Sequence, residues 1–128
     1  GFFNVTRPLI LPMIRTRWGR VVNLSSVAAI TGNRGQVNYS AAKAALQAAS
    51  KSLALEVASR GITVNAVAPG IIATGMADGA FDAATIRTLV PMQRAGKPEE
   101  LADLVGFLVS DQAAYISGQV ISINGALI

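Results

Sequence analysis

Tyr39, Lys43 and Ser26 are the residues whose types and spacing can do chemistry in this chain: the lysine follows the tyrosine by four positions and the serine precedes it by thirteen. On a helix, side chains at i and i+4 lie on one face, so the ammonium comes close to the phenol. A free tyrosine has a pKa of about 10. A neighbouring cation favours the phenolate, so Tyr39 is expected to exchange a proton closer to neutral pH than tyrosine ordinarily does. That is general acid/base chemistry, with Ser26 adding a hydroxyl. The same residues also fit a plainer arrangement: an aromatic at a core edge, a solvated lysine and a turn serine bonded to nearby backbone. Composition narrows the choice. Cysteine and histidine are both absent, which excludes disulfides, thiolate chemistry, a histidine-based triad and a typical zinc site.

The elements that must position these groups alternate along the chain. A stretch from Gly1 to about Thr16 reads as an amphipathic helix that Pro8 is expected to kink. A strand over Arg20 to Leu24 ends in the hydroxyls of Ser25 and Ser26, and a loop with Gly32 and Gly35 leads into a long helix, Asn38 to Ser59. Arg60-Gly61 closes that helix with a cation and then a glycine. A strand over Ile62 to Val67, a variable segment from Ile71 to Gly96, a helix from Pro98 to Ser110 and a strand over Gln119 to Ile123 follow. Lys97-Pro98-Glu99-Glu100 opens the last helix with proline at its first position and acids in its first turn. Such alternation predicts an α/β fold with a parallel sheet flanked by helices. In parallel sheets ligands bind beyond the carboxyl ends of the strands, which is where Ser26 falls.

Three stretches, Gly19 to Ser26, Gly32 through Tyr39 to Lys43, and Ile62-Thr63-Val64-Asn65-Ala66-Val67-Ala68-Pro69-Gly70, resemble the short-chain dehydrogenase/reductases. Within that family the pattern is most similar to the bacterial 3-oxoacyl-[acyl-carrier-protein] reductases, and the resemblance runs from Gly1 to Ile128. It implies the C-terminal part of a Rossmann-like doubly wound sheet. It also implies that Tyr39 protonates a carbonyl oxygen, that Ser26 holds that oxygen, and that Lys43 tunes the tyrosine and holds the nicotinamide ribose. Pro69 and Gly70 turn the chain into Ile71-Ile72-Ala73-Thr74. By the resemblance, Pro69, Gly70, the Ile72 backbone and the Thr74 hydroxyl meet the nicotinamide end, although read alone Pro-Gly is an ordinary strand-ending turn. Gly75 stands where the family often has aspartate, which is expected to alter loop stiffness. The expected cofactor is NADP, with NAD as the alternative.

The family's glycine-rich turn, its first strands and its catalytic asparagine have no counterpart here. The expectation is a single catalytic portion over 1–128, preceded in the family by roughly a hundred residues of cofactor-binding βα units. Within the chain, 52% of residues are hydrophobic and 14% charged, with neither an eighteen-residue apolar run nor a signal-peptide pattern, so a cytoplasmic globular protein is expected.

The charge of +4 raises nucleic acid as a partner, but the basic residues are scattered and no aromatic-interleaved stripe accompanies them. Arg7, Arg15, Arg17, Arg20 and Arg34 read as solvated surface or as attraction for acidic partners. The resemblance implies that Arg17 and Arg60 dock an acidic acyl carrier protein. The long helix carries alanine and leucine over more than one face, which predicts a second buried face. In the family that helix and the first form a four-helix dimer bundle and the last strand builds a tetramer, so a homo-oligomer is expected. The expected activity is reduction of a carrier- or coenzyme-A-linked 3-oxoacyl thioester. The alternatives are another ketoreductase activity or a non-catalytic oligomerisation module. The segment Met76 to Gln93, with Asp78, Gly79 and Asp82, reads as a lid over the substrate or as a solvated loop.

Overall fold

The computed structural model describes residues 1–74 and 82–128. Three parallel strands form one sheet in the order β1(Gly19–Leu24), β2(Ile62–Pro69), β3(Val120–Ile123). Gly19 pairs with Ile62 and Leu24 with Val67, while Ala66 pairs with Val120 and Pro69 with Ile123. Parallel neighbours need crossovers, and the helices supply them. α2(Ala28–Thr31) and α3(Val37–Val57) link β1 to β2, and α4(Ala83–Leu89) and α5(Pro98–Leu108) lie between β2 and β3. The first helix, α1(Phe2–Thr16), precedes the sheet.

β2 lies between the other two strands, and its residues from Ile62 to Ala68 are all buried. This explains its nearly continuous apolar sequence, since a central parallel strand is covered on both faces. Ile62 and Val64 pack with Ala54 and Val57 of α3, and Ile10, Met13 and Ile14 of α1 close over the same cluster. Asn65 points the other way, fully buried yet satisfied: its amide donates to the Ile116 carbonyl at 2.8 Å and its oxygen accepts from the Gln119 N–H at 3.1 Å.

Along α3 the stripe Lys43, Gln47, Ser50, Ala54, Val57 recurs every three or four residues and faces inward, while Leu55 is 85% exposed. The expected second apolar face is therefore present but uncovered within this chain. Phe3, Val5, Leu9 and Leu11 of α1 are exposed as well. The helix continues through Pro8 and Pro12 to Thr16, so neither proline ends it. Arg17 closes it in the left-handed conformation, φ 52°, with its N–H on the Ile14 carbonyl.

Several expectations shift. The long helix closes at Val57 and finishes as a tighter turn over Ala58–Arg60, with Gly61 at φ 71° leaving no room for a Cβ, which would lie 2.5 Å from the Arg17 carbonyl oxygen. The helix from Pro98 ends at Leu108, because Val109 and Ser110 turn back on Val105 and Phe107. Arg20 is a correction. Its side chain is only 6% exposed, because it donates to the carbonyls of Gly19, Gly61 and Ser110 and to Asp111, and lies over the Trp18 ring. The variable segment holds α4, whose first turn is capped by Asp82 accepting from the Thr85 N–H at 2.7 Å. The Thr85 side chain first, and then that N–H, hold the Asp82 carboxyl below its usual range. Gly75 to Phe81, including Asp78 and Gly79, lie outside the described residues.

Candidate active site

The chain leaving β1 stays beside β2 beyond the strand proper: Ser25 N–H donates to the Val67 carbonyl at 2.8 Å and Val27 N–H to that of Pro69 at 3.1 Å. This fixes Ser26 between two anchored neighbours. The Ser26 Oγ accepts from the Ala28 N–H at 3.2 Å, opening α2. The expectation of a local turn bond is thus met, yet it uses an oxygen lone pair and leaves the hydroxyl hydrogen for a carbonyl oxygen. Gly32 and Gly35, at φ 73° and 78°, take the left-handed turns that return the chain to α3.

α3 brings Tyr39 to the same cleft as Ser26, a cavity of about 700 Å³ that Gly70, Ile72 and Thr74 also line. The phenol is 44% exposed, so a ligand can reach it. Lys43 lies one turn along, its ammonium 5.8 Å from the centre of the Tyr39 ring and donating to the Leu24 carbonyl at 2.8 Å. The pair at i and i+4 does meet, and the cation sits between the phenol and the end of β1.

The loop after β2 is held from behind. Gly70 N–H donates to the Ile123 carbonyl at 2.9 Å, and a Cβ on Gly70 would fall 2.8 Å from the Cβ of Asn124. Ile72 forms a parallel bridge with Gly96, made by Gly96 N–H to Ile71 O at 2.9 Å and Ala73 N–H to Gly96 O at 2.8 Å. In this pattern the N–H and C=O of Ile72 itself face away from Gly96. Among the described residues they have no hydrogen-bond partner, so they can pair with a planar carboxamide, and Thr74 adds a hydroxyl, so the residues present fit the nicotinamide end of a cofactor. Pro69 does not line the cleft; its carbonyl holds Val27 instead.

The Gly96 bridge is itself clamped. Arg94 donates both terminal nitrogens to the two carboxylate oxygens of Glu100, at 2.8 and 2.6 Å, and Lys97 N–H adds a bond at 2.7 Å. These bonds, the Arg94 pair first, lower the Glu100 pKa to about 2.

Arg17 and Arg60 are far from the cleft. Arg17 donates to the Ser59 carbonyl at 3.1 Å, next to Arg60, where β1 and β2 begin. Six residues of strand, on the order of 20 Å, separate that end from Ser26. Leu89, Leu127 and Ile128 also line the cleft and were not singled out from sequence, since nothing local to the last two residues marks them as facing Tyr39. Among the described residues no helix is long and apolar enough to cross a membrane.

Known proteins share this sequence along its length. A family model described as enoyl-(acyl carrier protein) reductase matches residues 1–127. A 3-oxoacyl-[acyl-carrier-protein] reductase of Aggregatibacter actinomycetemcomitans is 51% identical, covering 99% of this chain and 53% of the relative. Nodulation protein G of a Rhizobium species is 48% identical over 98% of this chain and 52% of its own length. A 3-oxoacyl-[acyl-carrier-protein] reductase of Aquifex aeolicus is 49% identical, covering 99% and 52%. The chain spans about half the length of these curated relatives. With a family model matched nearly end to end, on a parallel sheet whose first strand leads to Ser26 and whose crossover helix α3 carries Tyr39 and Lys43, the chain belongs to the short-chain dehydrogenase/reductase family.

Proposed function

We propose that residues 1–128 are the C-terminal, catalytic portion of a longer cytoplasmic reductase that uses NADPH to convert a 3-oxoacyl thioester to its 3-hydroxyacyl product, as in fatty-acid synthesis. The observation that carries this is the meeting of Ser26 and Tyr39 in one cleft with Gly70, Ile72 and Thr74. The names of the relatives favour carbonyl reduction over the enoyl reduction in the family model's description.

Gly70, Ile72 and Thr74 would hold the nicotinamide end of the cofactor, which when bound would supply the hydride that reduces the carbonyl carbon. The Ser26 hydroxyl donates to the carbonyl oxygen and fixes its position. Tyr39 gives its phenolic proton to that oxygen as negative charge develops there, and the product leaves as the alcohol. Lys43 lies beside the phenol, and in this reading its ammonium would donate to the ribose hydroxyls of a bound cofactor.

Two partner assignments accompany this reading. Arg17 and Arg60 form a basic corner for an acidic acyl carrier protein, which gains encounter rate from opposite charge. The exposed Phe3, Leu9 and Leu11 of α1 and Leu55 of α3 support assembly into a dimer or tetramer, because uncovered apolar helix faces mark association surfaces.

The test is NADPH oxidation by the intact reductase with an acetoacetyl thioester, beside its Tyr39→Phe variant. Loss of general acid catalysis is expected to lower kcat by about 10² to 10⁴, with the melting temperature unchanged. Full activity in Tyr39→Phe removes the tyrosine from the mechanism, and an inactive wild type removes the substrate assignment.

A further inference from the structure

Between β1 and the catalytic turn of α3 lies a set of polar contacts that the proposed reaction does not use. Ser25 is 4% exposed. Its Oγ donates to the backbone carbonyl of Lys43 at 3.0 Å and accepts from the Gln47 side-chain amide at 2.9 Å. Lys43 in turn sends its ammonium to the carbonyl of Leu24, the residue before Ser25, at 2.8 Å. One turn further along α3, the Asn23 amide donates to the Ser50 hydroxyl at 2.8 Å, and Ser50 donates to the Leu46 carbonyl at 2.7 Å. Three successive residues of β1 and its exit are thus tied to Lys43, Gln47 and Ser50, which share a face of α3.

Apolar packing alone does not fix the slide of a helix along a sheet, because it is non-directional. Hydrogen bonds do, since they weaken steeply with misalignment. Ser25 is hydrogen-bonded to the main-chain carbonyl of Lys43 and covalently joined to Ser26. A shift of α3 by a fraction of an ångström changes the separation of Ser26 from Tyr39 and Lys43, unless Ser25 resists it. Gln47 completes the restraint by occupying the Ser25 lone pair, which leaves the hydroxyl hydrogen committed to the Lys43 carbonyl.

We infer that Ser25 and Gln47 are positioning residues that set the register of the Tyr39–Lys43 turn against Ser26. This rests on the proposed reductase chemistry for its kinetic consequence but not for its structural one. The two can therefore be tested apart.

The experiment uses the intact reductase and its Ser25→Ala and Gln47→Leu variants, each also made in a Lys43→Met background. Loss of one buried hydrogen bond is expected to lower kcat about fivefold in Gln47→Leu, the equivalent of ~1 kcal/mol, with KM for the acetoacetyl thioester within about twofold. In the Lys43→Met background the same substitution is expected to have no further effect, because residues acting through one group are not additive. The second readout is independent of turnover: acetylation of Lys43 by acetic anhydride, read by mass spectrometry against exposed Lys51 on the same helix. Ser25→Ala and Gln47→Leu are expected to raise the Lys43 to Lys51 ratio about fivefold, the equivalent of ~1 kcal/mol. An unchanged ratio in both variants overturns the inference. So does an equal fractional loss of kcat with and without Lys43, which is what a general loss of stability gives. An inactive wild type defeats the reductase reading while the acetylation ratio still decides the positioning one.

Discussion

Gly70 and Gly106 are expected to respond to the same substitution with opposite sign. A Cβ built on Gly70 lies 2.8 Å from Asn124 Cβ and 3.0 Å from Asn124 Cα. Ordinary contacts between carbons begin near about 3.5 Å, so roughly half an ångström must be found. The obstructing atoms belong to the main chain or adjoin it, and cannot swing aside. Asn124 is held by its own turn, Oδ1 on the Ala126 N–H at 3.0 Å, and by the Gly70 N–H on the preceding carbonyl at 2.9 Å. Gly70→Ala must therefore part the end of β3 from the loop that carries Ile72, a form of overpacking that costs about 1–3 kcal/mol. Gly106 sits in α5 with nothing within 4 Å of a new Cβ. There alanine gains helix propensity and is expected to stabilise by about 0.5–1 kcal/mol. Urea unfolding of the protein measures both, with the midpoint lowered in Gly70→Ala and raised in Gly106→Ala at constant slope. On the proposed function, affinity for the nicotinamide cofactor should fall in the first variant alone, since only there does the loop move. Wild-type stability and affinity in Gly70→Ala would refute the packing argument.

Other perturbations follow from the same contacts. The Glu100 carboxyl, near 4.5 when unperturbed and lowered to about 2 here, contributes stability that is full above about pH 4.5 and is lost as pH falls toward 2. Glu100→Gln should accordingly melt below the wild type at pH 7, and the gap should close on acidification. A gap that persists at pH 2 argues against the ionic clamp. Asn65→Leu removes both part-buried hydrogen bonds of a fully buried side chain and is expected to cost about 1–3 kcal/mol in urea unfolding; wild-type stability would mean that water or neighbouring groups replace both bonds. Arg17→Glu is expected to raise KM for a carrier-linked substrate more than for a small thioester, and the difference should shrink at high salt. Equal effects on both substrates would remove the docking assignment.

The sequence by itself determined the element order, the parallel arrangement and the pairing of Tyr39 with Lys43. These are local properties: hydrophobic period, glycine and proline punctuation, and a four-residue spacing on one helix. The opening of α5 was legible for the same reason, since Pro98 and the acids at Glu99 and Glu100 act within one turn. Glu100 already shows the limit, because its main partner Arg94 lies outside the helix and the clamp reaches the Ile72 loop only through Gly96. Arg20 shows it again. A scattered arginine reads as solvated, and only the closeness of the Gly61 and Ser110 carbonyls to the start of β1 turns it inward. Ser25 reads only as a hydroxyl at the end of the first strand, and it bonds a carbonyl eighteen positions away. Which residues line the cleft beyond Ser26, Tyr39 and the loop of Gly70, Ile72 and Thr74, and which end of the sheet carries Arg17 and Arg60, were decided by the tertiary structure alone. Strand register and helix docking bring together groups whose separation in sequence carries no trace of their distance in space.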